Sequence, residues 1–84
     1  MSYLLDTNIL LRTLVTNDPN YQITQEAIAS LRKSREKLYI APQNLIELWN
    51  VATRPADKNG LGLSPFETEK EVAHLKEFFI LLPD

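Results

Sequence analysis

The feature that most constrains this chain is a short apolar run without polar alternation, which recurs between segments of helical periodicity. The runs are Tyr3-Leu4-Leu5, Leu38-Tyr39-Ile40 and the stretch from Phe78 to Leu82. Such runs suit strands buried on both faces, as in parallel sheets. Asp6 ends the first, Ala41-Pro42 closes the second, and Pro83-Asp84 stops the third, which overlaps the end of a helical segment. The order strand, two helices, strand, two helices, strand predicts an α/β fold. Its expected form is a three-layer α/β/α arrangement with a short parallel sheet of three strands, right-handed crossovers and helices on both faces.

The helices carry their own start and stop signals. Asp6-Thr7-Asn8 supplies capping side chains just before Ile9, Leu10, Leu11 and Leu14. Asn17 and Asp18 before Pro19 read as the start of a second helix running to about Arg35, with Ile23, Ala27, Ile28 and Leu31 at helical spacing. Arg32, Lys33, Arg35 and Lys37 crowd its end, where a helix dipole favours cations; a contact to an RNA backbone is the competing reading. From Gln43 to Arg54 the stripe is Leu45, Leu48, Trp49 and Ala52, and Glu47 shares a second face with Asn44 and Val51. Trp49 and Tyr39, set within apolar patterns, read as core. Both glycines fall in a loop from Pro55 to Leu63, and Ser64-Pro65-Phe66-Glu67 is a capping box opening a last helix with Val72, Leu75 and Phe79 inward.

Composition narrows the function classes. Eighty-four residues, 44% hydrophobic and 24% charged, describe one small folding unit with roughly 5,100 Å² of surface once folded. No window is apolar enough to span a membrane, and the start of the chain lacks the pattern of a secretory signal, so a cytoplasmic location is expected. Without cysteine there are no disulfides and no thiolate sites, so a metal would sit on oxygen or on His74. His74 lies among Glu69, Lys70, Glu71, Lys76 and Glu77 and reads as solvated surface. A net charge of −2 gives no strong positive field for nucleic acid.

In open parallel sheets, ligands bind beyond the carboxyl ends of the strands. Asp6 stands at one such end, and the helix bearing Glu47 follows another. If the first two strands are neighbours, about 4.8 Å apart, the two carboxylates converge. Paired carboxylates repel unless a cation is present, and Mg²⁺ or Mn²⁺ prefers oxygen ligands. The plainer alternative is that Asp6 only caps a helix and Glu47 is one acid near a helix start. Asn8 and Asn44 are open in the same way, each a cap or a supporting donor. No glycine-rich dinucleotide loop, Walker A, zinc-protease or nucleophile-elbow pattern occurs. A phosphoacceptor domain of the receiver type is disfavoured, because its aspartate belongs on a later strand than Asp6.

The segment from Tyr3 to Leu10, Tyr-Leu-Leu-Asp-Thr-Asn-Ile-Leu, closely resembles the first motif of the PIN-domain ribonucleases, which include the VapC-like toxins of bacterial toxin–antitoxin pairs. Ala41 to Pro55 resembles the same family's second motif. The resemblance covers essentially the whole chain and implies a metal-dependent endoribonuclease using Mg²⁺ or Mn²⁺. Asp6 and Glu47 match the family's first two acids, and Thr7 or Asn8 matches the polar residue supporting the first. It further implies an RNA substrate and an antitoxin partner. Family members carry a third acid, often with a fourth, on a portion that would follow Asp84. On that reading residues 1–84 are the N-terminal part of a single PIN-like domain, truncated and impaired in activity, and Asp84 is not the third acid. The first strand is then an exposed sheet edge, with Leu4 and Leu5 poorly covered and prone to self-association. A catalytically inactive interaction module derived from a PIN domain is the alternative.

Overall fold

In the computed structural model, which describes residues 2–83, three strands alternate with pairs of helices. The elements are β1 (Ser2–Leu4), α1 (Thr7–Arg12), α2 (Tyr21–Lys33), β2 (Lys37–Ile40), α3 (Pro42–Thr53), a 3-10 turn at Ala56–Lys58, α4 (Pro65–Phe78) and β3 (Ile80–Leu81). The sheet order is β1-β2-β3 and both pairings are parallel. The α/β class and the three parallel strands are as expected; Asp84 lies outside the described residues.

Register explains how the sheet is covered. Tyr3 pairs with Leu38, Leu4 with Tyr39, Tyr39 with Ile80, and Ile40 with Leu81. Paired residues in a parallel ladder share a face, so Leu38 and Ile40 lie on one face and Leu4, Tyr39 and Ile80 on the other. Leu38 and Ile40 are buried among Leu5, Leu10, Ile28, Leu48, Ala52, Leu75 and Phe79, which form the core. On the opposite face Leu4 is 62% and Ile80 47% exposed. Cover on the sheet is therefore uneven, and the molecule is thin, 38 × 32 × 17 Å. Its surface of 5838 Å² exceeds the roughly 5,100 Å² expected of a well-rounded chain of this mass.

Several local readings change. Leu5 is buried, because it continues the ladder by bonding the Tyr39 carbonyl and alternates onto the core face, so that of the two leucines only Leu4 is poorly covered at the edge. Helix α2 begins at Tyr21 rather than at Pro19, since Asp18 first makes its own turn, with Oδ1 accepting from Asn20 N–H at 2.7 Å. Its inward line is Thr24, Ile28 and Leu31, at i, i+4 and i+7, which leaves Ile23 64% exposed on the neighbouring line. On α3 the inward residues are Leu45, Leu48 and Ala52, and Trp49 at the margin is 36% exposed rather than core. Tyr39 is half-buried, because it faces the open side of the sheet. Helix α4 continues through Phe78, so β3 is only two residues long.

Helix ends are closed by hydrogen bonds the sequence partly advertises. Ser64 and Glu67 make a reciprocal capping box, Glu67 N–H to Ser64 Oγ at 3.0 Å and Ser64 N–H to Glu67 Oε1 at 3.2 Å. At the end of α2, Arg35 takes a left-handed φ of 61°, and Glu36 N–H reaches back to the Leu31 carbonyl at 3.0 Å. That is a Schellman closure with arginine where glycine is usual. After α3 the chain folds back on the helix end, and Gly60 is required: a Cβ there would stand 2.1 Å from the Arg54 carbonyl oxygen.

Candidate functional site

The site is built where β1 and β2 deliver their chains to α1 and α3. Asp6 has extended backbone (φ −76°, ψ 148°) at the cap of α1, and its Oδ1 accepts the Asn8 main-chain N–H at 2.8 Å. One carboxylate oxygen is thereby pinned by the helix it starts. At the second junction the cap position holds Ala41, which has no side-chain acceptor, and Pro42 opens α3. Asn44, one turn in, turns back so that its Oδ1 accepts the Ala41 N–H at 2.8 Å. Glu47 follows at i+3 from Asn44 and so lies on the same helix face.

Parallel pairing of β1 with β2 brings these junctions side by side. Thr7, the first residue of α1, donates its hydroxyl proton to Glu47 Oε1 at 2.7 Å and accepts from Asn44 Nδ2 at 3.0 Å. Asp6, Thr7, Asn8, Asn44 and Glu47 all line one open cleft of about 610 Å³, with Leu5, Leu11 and Val51 among its apolar walls. Asp6, Asn8 and Glu47 are exposed, while Thr7 and Asn44 are half-buried beneath them. Asn8 supports Asp6 through its backbone N–H, whereas Thr7 is bonded to Glu47. Sequence reasoning did not anticipate the Thr7–Glu47 pairing. Its only sequence signal is a hydroxyl immediately after a capping aspartate at a strand end, which says nothing about the partner.

The donors in the cleft are hard oxygens, with neither histidine nor sulfur among the lining residues. That set suits a hydrated Mg²⁺ or Mn²⁺ better than zinc. Among the described residues no group of three or more His, Cys, Asp or Glu is gathered for a metal, so an ion here would rely on water and substrate oxygens.

Other polar candidates lie elsewhere. His74 is exposed on α4, beside a smaller, more enclosed and largely apolar hollow of about 310 Å³ between α2 and α4. Arg32 is engaged there: its guanidinium donates to the Phe78 carbonyl and stands 5.1 and 5.4 Å from the Phe78 and Phe79 ring centres. Lys33, Arg35 and Lys37 are exposed around the start of β2, at the end of the sheet opposite the cleft. Among the described residues no helix is long and apolar enough to cross a membrane.

Compared with known proteins, the chain matches the family model of the PIN domain over residues 3–83. No curated protein and no solved structure matches it.

Proposed function

We propose, on the premise that this chain belongs to the PIN-domain family, that it is a metal-dependent endoribonuclease of toxin-like type with Asp6 and Glu47 as its metal-holding acids. PIN domains are a nuclease-type family and generally use divalent metal ions. The observation that carries the reading is that both carboxylates, one at the end of β1 and one on α3, line the same open cleft.

Asp6 and Glu47 would hold Mg²⁺ or Mn²⁺, with waters filling the remaining positions. When bound, such an ion activates water and stabilises the charge that develops on a phosphodiester. The chain's own part is to orient the two carboxylates, Asp6 through the Asn8 N–H at the start of α1 and Glu47 through the Thr7 hydroxyl. RNA is the proposed substrate. An antitoxin protein, or a second copy of the chain, is the proposed partner of the toxin-like form.

Thermal melts with and without Mn²⁺ test the site. An ion that binds only the folded state raises the melting temperature. The unaltered chain should show this rise, and Asp6→Asn and Glu47→Gln should each remove it. Any cleavage of a short single-stranded RNA by this chain should be weak, Mn²⁺-dependent and chelator-sensitive, since only two acids are gathered for the ion. The exposed strand β1, with Ser2, Tyr3 and Leu4 all open to solvent, favours the interaction-module alternative. That reading predicts self-association indifferent to Mn²⁺, and no cleavage.

A further inference from the structure

We propose that Thr7 and Asn44 are positioning residues for Glu47, acting in series so that the main-chain N–H of Ala41 sets the orientation of the Glu47 carboxylate in the cleft. The inference rests on the metal-holding reading above and adds how one of its two acids is aimed.

The direction of the series follows from donor and acceptor counting. The Ala41 N–H needs an acceptor, and it meets Asn44 Oδ1 at 2.8 Å, which leaves no choice about which end of the amide faces it. The Asn44 NH₂ is then turned toward Thr7 Oγ1, at 3.0 Å. An NH₂ group only donates, so the threonine oxygen must accept. Its single proton is thereby free for Glu47 Oε1, at 2.7 Å, within the short range of hydroxyl-to-carboxylate bonds. Reversing any link would set two donors or two acceptors against each other. Three segments take part, the end of β2, the first turn of α3 and the start of α1, so the hold on Glu47 forms only once β1 and β2 are paired. Asp6 needs no such help, because its own helix pins it. Outer groups that orient metal-holding side chains characteristically change metal affinity by 10- to 100-fold when removed.

The test uses isothermal titration with Mn²⁺ and, on the metal-free chain, the ¹³C shift of the Glu47 carboxylate carbon. Thr7→Val keeps the shape and removes the hydroxyl; Thr7→Ser restores it. Thr7→Val should move the Glu47 shift and weaken Mn²⁺ about tenfold, and Thr7→Ser should stay within about twofold of the unaltered chain. Asn44→Ala should weaken Mn²⁺ as well, and the double variant Thr7→Val/Asn44→Ala should be no weaker than the worse single one, because groups in series are lost together. Multiplying losses, or a Glu47 shift that ignores Thr7→Val, would overturn the series even if Asn44→Ala proved too unstable to study. If the shift responds but Asp6→Asn and Glu47→Gln leave Mn²⁺ affinity unchanged, the metal-holding reading fails instead, and Thr7 and Asn44 orient a carboxylate with no ion to receive.

Discussion

The two strand-to-helix junctions that face the cleft reach the same end by different means. At the first, the acid is itself the cap: Asp6 starts α1, and the bond from Asn8 N–H that stabilises the helix also fixes the carboxylate. At the second, the cap position is Ala41, and the acid sits further along, on the face of α3. Nothing within α3 holds Glu47 in the way Asn8 holds Asp6; its bond comes from Thr7, on a different element. One carboxylate is oriented by local chain geometry and the other by tertiary contact. The first arrangement survives as long as α1 does. The second depends on β1 and β2 remaining in register.

The largest expected effect separates cap from charge at the first junction. Asp6→Ala should cost about 1 kcal/mol of stability in metal-free buffer, because an orphan N–H at the start of α1 loses its acceptor. Asp6→Asn should cost only a few tenths, since asparagine caps comparably, while still removing the Mn²⁺-induced rise in melting temperature. Denaturant titration of both variants checks this. Equal losses for Asn and Ala would mean that the negative charge, and not the hydrogen bond, holds the junction.

This difference also sets what could be read in advance. Asp6 as a cap, the helix face shared by Asn44, Glu47 and Val51, and the three short strands follow from patterns spanning a few residues, and the parallel sheet follows from their order. The partner of Thr7 does not, because a hydroxyl bonds whatever the register of two strands brings to it. The same limit explains Ile23 and Trp49. Helical spacing allows a stripe wider than the line that is buried, and only the position of the sheet selects Thr24 on α2 and leaves Trp49 at the margin of α3. The uneven cover on the sheet was hidden for a like reason: Leu4 and Leu5 look equivalent as sequence, yet alternate faces leave one exposed and the other in the core.

A middle-sized effect probes the tertiary hold directly. A double-mutant cycle with Thr7→Val and Glu47→Gln, followed by metal-free denaturation, should return a coupling of about 0.5 to 1 kcal/mol. The bond is solvent-exposed, which keeps the value at the low end for a hydroxyl on a carboxylate. Pairing Asp6→Asn with Thr7→Val in the same way should give additive losses, because the two acids are held by different groups. Strong coupling in that second cycle would dissolve the distinction between the junctions.

The smallest effect tests whether the second junction can be given the device of the first. Ala41 already has the extended backbone of a cap residue, φ −97° and ψ 153°, and Asn44 already accepts its N–H. Ala41→Ser would supply the missing acceptor for the amides of the first turn and complete a reciprocal box like that of Ser64 and Glu67. A gain of about 0.5 kcal/mol is expected, below the typical cap value because the position is half-buried. Mn²⁺ affinity should not change, since the Ala41 bond that orients Asn44 uses the main chain and survives the substitution. A stabilised chain with weakened Mn²⁺ binding would show that the new hydroxyl had drawn the Asn44 amide away from Thr7. Local capping and long-range orientation would then compete for one side chain, which would give a physical reason for an alanine at this cap.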